Sequence, residues 1–409
     1  MSRATTEALR EPSWPRTRTR NRSRDARVAR DLILLSAGTA ARRETSRSVA
    51  QRLIEDVQWP LLIETLRSRA LLPVLGPRIV ELAADRECVE FSTAVEGSIV
   101  AGRRQGALLQ LAGQHVGREL ADAGVRSTPL KGPQLGELIH GEPGRRLSTD
   151  IDLLVPAKQI HVAVEVLRRL GYDQPADQVG DDGLPLLHFA LAHRNDELPP
   201  VELHWRIHWY EERFAYERLL PPEGTAVSDW RPAPADELAS LLLFYARDGF
   251  VDLRLATDLS AWWDLFGPDM SSERLDGLLD RYPRLAPAIP VSIKVAEKVV
   301  GLPSKEILRD MPGMGLRARL AVRMADPNPN TSSAQLYADM GFIDGLLTPW
   351  RELRAFMRRQ VFLPQVVLDE WALRAPNWGA RSALDYRARV LARYGWAMIR
   401  ALRRADRSI

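Results

Sequence analysis

The sequence predicts an α+β fold, a small mixed sheet with helices flanked by N-terminal and C-terminal helical domains, and three observations predict it. Apolar residues return every three or four positions from Asp31 to about Gly124, and again from Ala235 onward. Between those stretches, short apolar runs of strand length alternate with helical segments of about ten to fifteen residues. With 45% apolar and 27% charged residues over 409 positions, the chain can bury a sizeable core and is not mainly disordered.

In chain order, residues 1–30 read as a disordered Arg-rich arm. They hold nine arginines against Glu7, Glu11 and Asp25, a local sum of +6 within a chain total of +4, so the rest of the chain is slightly acidic. The high pI therefore describes the arm, read as a solubilising extension; nucleic acid is not expected as a partner except through it. Residues 31–124 read as an N-terminal helical region, in segments such as LIEDVQWPLLIETLRSRALLPVL and LLQLAGQHVGRELADAG, the latter closed by Gly124.

The middle block, residues 125–225, changes period. VRSTPLK (Val125–Lys131) and DIDLLV (Asp150–Val155) read as strands, the second ended by Pro156. AKQIHVAVEVLRRL (Ala157–Leu170) is an amphipathic helix stopped by Gly171. Leu187–His193 and Val201–Trp209 follow as strands. Beyond a Pro-rich link, residues 226–409 read as a C-terminal helical domain cut into short pieces by prolines such as Pro303, Pro312 and Pro327.

Composition excludes several classes. The lone cysteine, Cys88, rules out a disulfide framework and a CxxC zinc site, and fits a reducing compartment. No run of 18 apolar residues exists, so no membrane-spanning helix is expected; LILLSAGTAA (Leu32–Ala41) imitates a signal core but lies too far from the start. The expected location is cytoplasmic, without a membrane partner.

The segment Leu130–Val155, LKGPQLGELIHGEPGRRLSTDIDLLV, concentrates the chemistry. On a strand, Asp150 and Asp152 share one face while Ile151, Leu153 and Val155 point into the core. Their Cα atoms then stand about 7 Å apart, from a rise of ~3.4 Å per residue. Like charges so close call for a cation or a shared proton, which favours a divalent metal with oxygen ligands, Mg²⁺ or Mn²⁺. In VELHWRIHW (Val201–Trp209), alternation puts Glu202, His204, Arg206 and His208 on a polar face expected to line a cleft, with Glu202 as third carboxylate. Three carboxylates together with substrate phosphates are a usual means of holding metal ions for in-line transfer at phosphorus.

His188, His193, His204 and His208 also cluster, but no HExxH is present, and His204 and His208 would stand ~13 Å apart on a strand, so zinc is not expected. His204, two residues from Glu202, is expected to orient a carboxylate or contact substrate.

A glycine after a strand, then a helix, an Asp-x-Asp strand and a later single acidic residue resemble the DNA polymerase beta superfamily of nucleotidyltransferases. More narrowly, LKG, G-x-x-x-R before DIDLLV, and VELHW resemble the uncharacterised bacterial nucleotidyltransferase family that often accompanies peptide-modification gene clusters. The resemblance spans residues 31–375 and is specific in the middle block. It implies a polymerase beta-like nucleotidyltransferase core over residues 125–225, with Asp150, Asp152 and Glu202 as metal ligands and catalytic carboxylates. It also implies a nucleoside triphosphate such as ATP as substrate and an unknown acceptor, a peptide, a protein or a small molecule.

Lys131 and Gly132 fall where better-studied branches carry Gly-Gly or Gly-Ser. Gly132 can bring backbone N–H groups to a phosphate, and Lys131 either adds a point charge there or pairs with Asp150. Of Arg145 and Arg146, one is expected to clamp phosphate. The alternative is a catalytically silent scaffold or substrate-binding subunit of the same fold, which the altered glycine turn favours and the intact carboxylates oppose.

Overall fold

The computed structural model describes residues 19–83, 86, 88–174, 187–208, 211, 213–225, 230–270, 272–308, 313–325, 333–362 and 382–405. Gly180, Gly183, Pro185 and Trp209 lie outside the described residues. Helices α1 (Thr19–Ser36), α2 (Ala40–Thr45), α3 (Arg47–Asp56), α4 (Trp59–Ser68) and α5 (Leu72–Ala83) lead into α6 (Val89–Asp122), which runs for 34 residues. Residues 19–30 of the expected disordered arm are thus helical. Val28, Ala29, Leu32 and Ile33 fall on one helical face and are buried, and this stripe offsets the ordering of the arginines beside it. Residues 1–18 lie outside the described residues.

Gly124 closes α6 in the left-handed region at φ 73°, with Val125 N–H donating to Leu120 O at 2.8 Å, so the chain turns sharply into the sheet. Next come β1 (Thr128–Pro129), α7 (Pro133–His140), β2 (Ile151–Leu154), α8 (Ile160–Arg169), β3 (Tyr172–Asp173), β4 (His188–His193) and β5 (Val201–His204). They form a mixed sheet in the order β1-β2-β5-β4-β3, in which only β2 and β5 are parallel. Among the described residues the remainder is helical: α9 (Pro234–Arg247), α10 (Leu253–Phe266), α11 (Ser272–Arg281), α12 (Ile289–Val300), α13 (Ser304–Ile307), α14 (Leu316–Met324), α15 (Ser333–Leu347), α16 (Trp350–Val361) and α17 (Ala383–Ala405). No helix among the described residues is long and apolar enough to cross a membrane.

The sheet separates two cores. Ile151, Leu153, Val201, Leu203, Phe189 and Leu191 form one face and pack with α8 and the C-terminal half of α6. The other face carries Asp152, Leu154, Glu202 and His204, and Leu154 joins the large helical core that draws on α1 as well as α9 and α12. The polar face expected to line a cleft is therefore largely covered: Asp152 is 3% exposed and His204 0%.

β5 ends at His204, five residues short of the expected Val201–Trp209 strand. Its β2 neighbour runs into Val155 and Pro156, and its β4 neighbour begins at His188, which already pairs with His204. Both ladders run out together, so alternation does not carry past His204. Ile207 and His208 are both fully buried, and Arg206 is 6% exposed.

Candidate functional site

In-register pairing of parallel β2 and β5 sets Asp152 directly beside Glu202, so both side chains leave the sheet on the same face. Asp150 precedes β2 by one residue rather than lying within it. One carboxylate oxygen from each of Asp150, Asp152 and Glu202 lies within 4.8 Å of the others. Two acidic groups two residues apart thus meet a third fifty residues further along the chain, in a hard-oxygen donor set of the kind divalent cations prefer.

The neighbours set the charge of each. Asp152 accepts from His204 Nε2 at 2.9 Å on Oδ1, and Lys131 Nζ stands 3.3 Å from Oδ2. Burial pushes the Asp152 carboxyl up, but the Lys131 charge, the His204 hydrogen bond and the Arg247 charge more than offset it, and the group stays below the ordinary carboxylate range. Asp150 is the reverse case: burial and then the Asp152 charge raise it, against the pull of Lys131. Glu202 meets His204 Nε2 at 3.3 Å and His188 Nε2 at 3.6 Å, and these imidazoles outweigh burial and lower it.

Lys131 pairs with Asp152, not with Asp150. Gly132 follows at φ 92°, a conformation that favours glycine, and opens α7 with Pro133 as its first residue. The two arginines are placed elsewhere. Arg146 is buried and donates to Asp258 Oδ2 at 2.7 Å and Ser148 Oγ at 2.7 Å. Arg145, 34% exposed in its side chain, donates to Glu142 at 2.9 Å. Neither contacts the three carboxylates among the described residues.

His188, Glu202 and His204 form a second group with ligand atoms within 4.8 Å. Arg247 argues against a metal there. Its Nη1 lies 3.4 Å from His204 Nδ1, and a guanidinium only donates, so Nδ1 accepts and the ring proton sits on Nε2. A metal-bound histidine instead offers its second N–H to an acceptor. His204 thus bridges Asp152 and Glu202 as a donor. Burial above all lowers His188 to about 3, so its ring is neutral near pH 7. His208 lies away from this group and meets Asp344 at 3.6 Å.

Three residues that local periodicity does not single out complete the surroundings. The Phe244 ring on α9 sits under both Lys131 Nζ, 4.9 Å from its centroid, and the Arg247 guanidinium, at 4.8 Å. Arg254 on α10 donates to Leu147 O at 3.3 Å and contributes an attractive charge to Asp150. The only trace in the sequence is that Arg247 and Asp248 follow a run of apolar residues at the end of a helix.

Fold and site together define an α+β protein that gathers three carboxylates, a lysine and a bridging histidine on one face of its sheet, beside a helix opened by glycine. A family model described as an uncharacterised nucleotidyltransferase matches residues 55–296, more than half of the chain, and the protein belongs to this nucleotidyltransferase family. No curated protein and no solved structure matches it.

Proposed function

We propose that the protein is a metal-dependent nucleotidyltransferase with a polymerase beta-like core, moving a nucleoside monophosphate from a nucleoside triphosphate to a hydroxyl or phosphate acceptor. The observation that carries this reading is the approach of the Asp150, Asp152 and Glu202 carboxylates within 4.8 Å. In it, all three hold Mg²⁺ or Mn²⁺, and the bound cation supplies charge neutralisation at the reacting phosphate and lowers the acceptor's pKa. The acceptor oxygen bonds to the α-phosphorus, the bond to the β-phosphate oxygen breaks, and pyrophosphate leaves. In this reading Glu202, 22% exposed in its side chain, also takes the acceptor proton, while His204 orients it and Asp152. Lys131 and the N–H groups after Gly132 receive the polyphosphate in this reading, and the phosphate role falls to the partly exposed Arg145 rather than the buried Arg146. The acceptor is a peptide, a protein or a small molecule, bound outside the sheet.

Incubation with each α-³²P-labelled nucleoside triphosphate, Mg²⁺ and an extract of the protein's own cells tests the reading. Wild type should label an acceptor that Asp152→Asn leaves unlabelled, and Glu202→Gln should slow transfer about a hundredfold. Equal labelling by wild type and Asp152→Asn would overturn it.

A further inference from the structure

Each carboxylate oxygen of Asp152 already faces a protein donor. Oδ1 faces the His204 donor at 2.9 Å, Oδ2 faces the Lys131 ammonium at 3.3 Å, and the carboxylate is 1% exposed against 14% for the lysine side chain. The ammonium is held from two sides, since its other neighbour is the buried Phe244 ring, 4.9 Å away at the centroid. Any cation that takes Oδ2 meets a positive charge already resident there. For a free ion this sets one cation against another in a site shielded from water, and an ammonium turned away from Asp152 keeps only the attractions of Asp150 and Asp248. For an ion carrying a polyphosphate the balance differs, because the incoming anion offers the ammonium a new partner. Lys131 directly precedes Gly132 and the opening of α7, so a rotation within its four-carbon stem re-aims the charge.

We propose that Lys131 is a resident counter-cation that makes the carboxylate cluster select a metal ion already bound to a nucleoside polyphosphate over the free ion. The inference rests on the reading of Asp150, Asp152 and Glu202 as metal ligands. It gives Lys131 two opposite effects, weakening capture of free metal and strengthening capture of the metal–nucleotide pair. A lysine with a purely structural role would weaken both or neither when replaced.

The test is titration of the full-length protein with Mn²⁺ alone, followed by electron paramagnetic resonance of the unbound ion. Binding of ATP at saturating Mn²⁺ is measured separately by calorimetry. Lys131→Met should bind free Mn²⁺ about tenfold more tightly than wild type, the effect of removing one charge a few ångströms away at an effective dielectric between that of protein and water. The same variant should bind ATP about tenfold more weakly. Lys131→Arg, which keeps the charge, should return Mn²⁺ affinity toward wild type. Circular dichroism and thermal melting confirm that each variant is folded. Equal or weaker Mn²⁺ binding by folded Lys131→Met overturns the role of Lys131 alone. Absence of Mn²⁺ binding in wild type and in both variants overturns the metal reading and this inference together.

Discussion

Glu211 and Asp258 are both wholly buried carboxylates, and their surroundings drive them in opposite directions. Glu211 has backbone partners, accepting from Ala215 N at 2.9 Å and Ile207 N at 3.4 Å, and burial outweighs them to push it up to about 7. A carboxyl raised on folding contributes stability that is complete below its unfolded pKa and is lost as pH rises through the folded value. Stability should therefore fall between about pH 4.5 and 7, by about 3 kcal/mol at most. Glu211→Gln should flatten that slope in urea melts across the range, while costing about 1 kcal/mol at pH 5 through the lost second acceptor. Asp258 is raised by burial but lowered further by Arg146 and His140, which lies 3.2 Å away, so its contribution is present at neutral pH and lost on acidification. Arg146→Met should strand this carboxylate and cost about 3–5 kcal/mol, read as a drop in the urea midpoint. Alternation along two short strands puts Asp152 and Glu202 on polar faces, and the pairing of β2 with β5 then sets them side by side. The Arg146–Asp258 pair is not legible in the sequence, because 112 residues separate the partners and no local period links them.

At the scale of elements, what sequence carries least well is where a strand stops. The pattern VELHWRIHW alternates through Trp209, yet β5 ends when its neighbours do, and the proline that limits β2 lies some fifty residues earlier. Helix ends are more legible, since Gly124 and Gly171, both at positive φ, stand where the periodic segments finish. α6 carries a further constraint in Gly102 and Gly106, one turn apart on the face that meets the turn at residues 143–145. A Cβ on Gly102 would lie 2.2 Å from Gly144 O, a backbone atom that cannot step aside alone. Gly102→Ala should cost about 1–3 kcal/mol in urea unfolding and displace the turn that leads to Arg146. Gly97, in the same helix, is the control, because a Cβ there would meet nothing within 4 Å: Gly97→Ala should stabilise by about 0.5–1 kcal/mol.

For the whole molecule, the first helices and the last ones share one core. Thr39 N–H donates to Val300 O at 2.8 Å, Ala40 N–H to Asp264 at 2.8 Å, and Ser260 Oγ to Ala37 O at 2.7 Å, tying the α1–α2 corner to α10 and α12. Periodicity shows that both ends of the chain are helical but not that they pack on each other, because contacts across more than two hundred residues leave no local signature. The site depends on this arrangement, since Phe244 and Arg247 reach Lys131 and His204 from α9, which packs in the same core as α1. The span matched by the family model, residues 55–296, begins inside α3 and ends inside α12, so its limits cut through two elements of that core. Removing α1 alone uncovers the partners of Val28, Leu32 and Ile33, each worth about 1.5–3 kcal/mol on burial. That sum is comparable with the about 5–15 kcal/mol net stability of a typical domain. A chain shortened to residues 55–296 retains Lys131, Asp150, Asp152, Glu202, His204 and Arg247, and should nonetheless lose its near-ultraviolet circular dichroism and its Mn²⁺ binding together. Retention of both by the shortened chain would show that the carboxylate cluster is organised by the sheet without the terminal helices.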